Sequence, residues 1–158
     1  MSNQTHYTYR NAAKFLLELS DSENGVITSL SIQKLLYLAH GLMLAKYNEP
    51  LITGTTFQAW KYGPVIEPLY YDLKLFGSMT IKADSYFVEQ WPSELCEEAQ
   101  DCIRSVWRQF GNFSAFRLVD ITHDDNGPWA EVYKSNVLGI EIDDDKIQQY
   151  FKTKLISN

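Results

Sequence analysis

The sequence has almost nothing with which to build a metal centre or a disulfide framework. It holds two cysteines and three histidines in 158 residues, and none of them recurs at metal-ligand spacing. Cys96 and Cys102 fall in what reads as one helix. Their separation there is about 9 Å of rise, too far for a disulfide. Positive charge is also scarce: 14 Lys and Arg face 20 Asp and Glu, for a net charge of −6. That balance argues against non-specific nucleic-acid binding, which needs clustered cations, and suits a basic partner better. No apolar run approaches the roughly 18 residues of a membrane span. The opening Met1-Ser2-Asn3-Gln4-Thr5-His6 lacks the apolar core of a signal peptide. Free thiols without an export signal lead us to expect a cytoplasmic protein. A glycine-rich phosphate loop is missing too, so no cofactor is expected.

Aromatics, by contrast, are plentiful, at 14% of residues. They suit a well-packed small domain or an adhesive surface. The most informative stretch is Ala59-Trp60-Lys61-Tyr62-Gly63-Pro64-Val65. Gly63 can take backbone angles closed to other residues, and Pro64 fixes its own φ and biases its predecessor away from helix. The segment reads as a rigid corner presenting Trp60, Lys61 and Tyr62. Two roles fit: a corner that packs aromatics into the core, or one that shows them to a partner.

Hydrophobic periodicity predicts a mainly α (α+β) fold, a compact single-domain helical bundle with a small antiparallel β element. A first helix is expected over Tyr7–Leu19, closed by the polar turn Ser20–Gly25. A second starts at an N-cap, Thr28, and ends before Asn48-Glu49-Pro50. Its buried stripe is Ile32, Leu35, Leu36, Ala39, Leu42 and Met43. Lys34, Tyr37 and His40 fall on another side, joined by Gln33, either a solvated face or a contact strip for a partner. Leu51–Trp60 reads as extended. Glu67-Pro68 opens a further helix that Gly77 stops. Thr80–Val88 suggests a short strand. Ser93 is a candidate N-cap for the helix that Gly111 ends, and Ser114 for one running to Thr122-His123. Pro128-Trp129 opens another helix. Ile140 and Ile142 alternate with Glu141 as a final strand, and Asp143 caps a C-terminal helix. Asp143-Asp144-Asp145 reads as capping charge rather than a metal site.

One catalytic reading is available. His123 could act as a general base oriented by Asp120 or Asp124. No nucleophile in a strained turn accompanies it, and the alternative is an imidazole that bonds neighbouring backbone and fixes the turn into Pro128-Trp129.

Four blocks together resemble the SocA-like antitoxins, also called the Panacea domain, found in phage-associated proteins. They are Leu30–Gly41; Phe57–Val65, continuing to Tyr70, Leu73, Lys74 and Phe76-Gly77; Val106-Trp107 with Phe110-Gly111; and Leu118–His123 with Gly127-Pro128-Trp129. The match covers roughly 25–151. The family domain is therefore assigned to 25–158, with residues 1–24 as an N-terminal helix and turn of the same domain. Leu38 stands where many relatives have a second tyrosine, and His40-Gly41-Leu42 where many have Gln-Gly-Trp. The resemblance implies an antitoxin, not an enzyme. Such a protein binds and neutralises a toxin encoded by an adjacent gene, and in some members delivers it to a Clp protease. Expected contact residues are Lys34, Tyr37, His40, Trp60, Lys61 and Tyr62. Gly63, Pro64, Asp120, Thr122, His123, Pro128 and Trp129 are expected to be structural. The segment Ile147–Asn158 is the candidate protease-docking surface of an adaptor.

Overall fold

A computed structural model describes residues 9–156. Among these residues are seven α-helices and a three-stranded antiparallel sheet in the order β2-β1-β3. The elements run α1 (Tyr9–Ser22), α2 (Ser29–Tyr47), β1 (Phe57–Trp60), β2 (Gly63–Ile66), α3 (Glu67–Leu73), α4 (Glu97–Phe110), α5 (Ala115–Thr122), α6 (Pro128–Val132), β3 (Glu141–Ile142) and α7 (Asp144–Ile156). The expected helix start at Tyr7 lies outside the described residues. No helix among them is long and apolar enough to cross a membrane.

The capping residues act as their chemistry predicts. Thr28 and Ser31 form a reciprocal capping box at the start of α2, and Asn48 closes that helix in the left-handed conformation. Ser114 accepts the Arg117 N–H, and Asp143 accepts the Asp145 N–H. Proline occupies the first turn of α3 and of α6, where its missing N–H leaves no bond unmade.

Three local expectations are refined or corrected. The rigid corner is a β-hairpin: Lys61-Tyr62 is its two-residue tip, and Gly63-Pro64 begins β2. Thr80–Val88 is not a strand. Its backbone is satisfied elsewhere: the Ile81 N–H bonds Ile27 O, the Ala83 N–H bonds Asp21, and the buried Lys14 Nζ donates to the carbonyls of Ala83, Val88 and Glu89. Helix α4 begins after Cys96 rather than after Ser93. The Gln100 side chain takes the Leu95 carbonyl and holds the preceding residues out of the helix. Cys96 is therefore an N-cap, while Cys102 lies inside α4 with its thiol pushed up to about 11 by burial; both thiols are free.

Helix α2 is the centre of the molecule. It packs against α4, α7, α5 and β2 and is buried almost all round. Helix α1 lies against α4. Phe57 and Ala59 of β1 point into this core, whereas Gln58 and Trp60 are half-buried on the opposite face.

Candidate functional site

Strand β2 is an edge strand, and its outer edge would carry unpaired backbone groups against α2. The alternation of an antiparallel ladder decides which groups these are. The Ala59 N–H bonds Ile140 O on the β3 side, so the residues opposite Ala59 and Phe57 on β2 turn their polar groups outward. Those residues are Pro64 and Ile66. Pro64 has no N–H to satisfy, which is why an edge position tolerates it. Its carbonyl accepts from Lys34 Nζ at 2.8 Å. The Ile66 N–H donates to Gln33 Oε1 at 2.8 Å, and its carbonyl accepts from Gln33 Nε2 at 3.1 Å. The polar side of α2 therefore closes the sheet edge.

This arrangement overturns the exposed contact strip. Lys34, Tyr37 and His40 are 0%, 2% and 1% exposed. Burial lowers the Lys34 pKa to about 7. His40 accepts the Ile52 N–H at Nδ1 and meets Asp144 of α7 at 2.9 Å through Nε2. The Tyr37 ring packs edge-on against Phe57 and Phe151.

The remaining motif residues brace the same hairpin. Gly63 has φ +111°, and a Cβ there would lie 2.8 Å from Thr122 Oγ1 and 2.9 Å from Lys34 Cε. Only glycine meets both the angle and the space. Trp129 Nε1 donates to the Trp60 carbonyl at 2.7 Å. The His123 ring stacks on Trp129 at 3.6 Å and 5°, and Tyr133 stacks on the same indole. The expected imidazole–backbone bond is thus replaced by stacking. His123 Nε2 is buried without a partner, and its pKa is lowered, first by burial and then by the Lys34 charge.

These contacts do not assemble an acid–base group. No hydrogen bond joins the His123 ring to Asp120 or Asp124 among the described residues. Asp124 instead accepts from Tyr150 Oη at 2.6 Å and lies 3.4 Å from Lys154 Nζ. The Tyr150 bond is the main reason its carboxyl sits below the usual range. Asp120 is exposed; with Thr122 and Pro128 it lines a cleft beside α2.

Of the expected contact residues, only those of the hairpin reach the surface. Lys61 and Tyr62 are exposed at its tip, with the Lys61 ammonium 5.5 Å from the Tyr62 ring centroid. Trp60 is half-buried, bonded to Gln58 Oε1 and packed 4.8 Å from Tyr70. Tyr70 in turn contacts Tyr71, which is 61% exposed. Leu69 and Leu73 carry the burial of α3, which leaves Tyr70 on its exposed side. The outcome is an aromatic cluster, Trp60-Tyr70-Tyr71, and a hairpin tip that exposes Lys61 and Tyr62, held by a rigid base.

The fold and this cluster define a small helical domain that displays a braced aromatic hairpin. The family described as "Antitoxin SocA-like, Panacea domain" matches residues 32–130. The chain is also 31% identical over 161 aligned residues to "Antitoxin SocA" of Caulobacter vibrioides (strain NA1000 / CB15N), covering 94% of this chain and 84% of that protein. This chain belongs to the SocA-like antitoxin family. No solved structure matches it. Three of the four sequence blocks build the hairpin and its supports: the first supplies Gln33 and Lys34, the second the hairpin, and the fourth Thr122, His123 and Trp129; the third supplies Val106 and Phe110 of the cleft wall.

Proposed function

We propose that the protein is a cytoplasmic antitoxin that neutralises a protein toxin by direct, non-enzymatic binding, and that the toxin docks on the hairpin tip and the Trp60-Tyr70-Tyr71 face. The observation that carries this reading is the exposure of Tyr62, Tyr71 and Lys61 on a base whose backbone is tied at several points. Tyrosine and tryptophan supply large contact area at little entropic cost, and preorganisation lowers the cost of binding further. The toxin is expected to be the product of an adjacent gene. Delivery of the bound toxin to a Clp protease extends this reading and predicts a toxin half-life that depends on the protease; its docking surface is assigned to the end of α7, where Leu155 is 43% exposed.

The test is titration of the adjacent gene product with wild-type protein and with the double variant Tyr62→Ala, Tyr71→Ala. The variant keeps its circular dichroism and melting temperature, loses roughly 2 kcal/mol or more of binding, and no longer rescues growth of cells expressing the toxin. Full affinity in the variant would place the toxin elsewhere.

A further inference from the structure

Away from the hairpin face, a cleft of about 480 Å³ opens among α2, α4, α5 and α7. Its walls are largely apolar, with Leu42, Val106, Phe110 and Phe151 contributed by three helices. A volume of this order accommodates a small organic molecule. Its polar groups are few and unequally satisfied. Asp124 is engaged by Tyr150 and Lys154. Tyr37, which lines the cleft from α2, is 2% exposed, and its hydroxyl has no hydrogen-bond partner. The other unpartnered buried side-chain atom among the described residues, His123 Nε2, belongs to the residue between the cleft-lining Thr122 and Asp124. The unmade hydrogen bond of Tyr37 therefore lies at the cleft wall, whereas His123, stacked on Trp129, does not line the cleft. A buried donor without a partner is a standing cost that a ligand can relieve.

The chemistry of the occupant follows from these groups. Burial, then the neighbouring Tyr150, raises the Tyr37 pKa, so the phenol is a neutral donor. The lining sets two carboxylates, Asp120 and Asp124, against one ammonium, Lys154, which is paired to Asp124, so the balance disfavours an anion. We propose that this cleft is a binding site for a neutral, mainly apolar small molecule carrying a hydrogen-bond acceptor, such as an aryl amide or ketone, with the Tyr37 hydroxyl donating to that acceptor.

The probes are acetanilide, which is neutral with an acceptor, benzoate as the anion, and indane, which lacks an acceptor. Each is titrated into the full chain and followed by protein NMR shifts. Acetanilide is expected to bind saturably, with shifts in Val106 and Phe151, and at least tenfold more tightly than benzoate or indane. Tyr37→Phe keeps the ring packing; it should lower acetanilide affinity about tenfold while the free protein melts at or above the wild-type temperature. Ser105→Trp, which fills the cleft from the half-buried edge of α4, should abolish binding in a folded protein. Absence of saturable binding overturns the proposal, as does equal affinity for benzoate. Unchanged affinity in Tyr37→Phe overturns the role of the hydroxyl. Displacement of acetanilide by the toxin would assign the cleft to the protein partner instead and also overturn it. The hairpin double variant should bind acetanilide like wild type, which separates this site from the toxin face.

Discussion

Lys34 shows how a single residue can look like surface in a sequence and be interior in the fold. A lysine is expected to be exposed, and an i, i+3, i+6 series with Tyr37 and His40 reads as one accessible side of α2. Burial was decided by a carbonyl 30 residues later, at Pro64, which no local pattern on α2 encodes. Burial also has a pH consequence. The folded Lys34 pKa is about 7 against 10.5 for the free group, so between those values the unfolded chain binds more protons than the folded one. Stability therefore rises with pH across that window, and the penalty is fully present below it, with a slope of at most about 1.4 kcal/mol per pH unit. In Lys34→Met this component disappears. Urea titrations at pH 7, 8 and 9 should show wild type gaining on the variant by about 1 kcal/mol per pH unit. Parallel pH profiles for the two proteins would show that the amine is not desolvated as described. His123 adds a term of the same sign at lower pH, since its folded pKa is lowered from 6.5.

At the scale of elements, what was legible depended on whether the governing interaction was local. Helix starts at Thr28, Pro68, Ser114 and Pro128 were readable because caps and first-turn prolines act within four residues. The final strand was readable from the alternation Ile140-Glu141-Ile142. Strand β2 was not, because Gly and Pro are poor strand formers in general. Gly63-Pro64 works here because the register puts proline at an outward-facing position, which depends on pairing with both β1 and α2. The same reasoning singles out Gln33, which the helix periodicity set beside Lys34 without showing that it closes a sheet edge. Replacing Gln33 with Leu leaves both polar groups of Ile66 buried and unpaired. The expected cost is about 3 kcal/mol of folding stability, measured as a lower urea midpoint at unchanged m-value. An unchanged midpoint would mean that the sheet edge needs no such partner. Of the candidate site, the hairpin residues Trp60, Lys61 and Tyr62 were legible, whereas Tyr71 and the cleft were not, because both depend on which helices meet.

For the whole molecule, the closing contacts are the ones most distant in sequence. Asp144 meets His40 across 104 residues, Gln148 reaches back to the Leu44 carbonyl, and Ile142 and Ile147 are fully buried. Phe151 covers Gly41 so closely that a Cβ there would fall 2.2 Å from the ring. A chain ending at Ile142, without α7, should lose its near-ultraviolet dichroism, bind a hydrophobic dye and unfold without a sharp transition. A cooperative melt near the wild-type temperature would show that α7 is dispensable. The position of α7 also bears on synthesis. A chain leaves the ribosome from its N-terminus at about 5–20 residues per second. The hairpin is out early, but β3 and α7, which complete the sheet and cover α2, emerge only after residue 140. A chain in synthesis thus spends several seconds with its hairpin residues out and their later supports, from Thr122 to α7, still to come. On the docking proposed above, neutralisation is expected only once β3 and α7 have closed over α2.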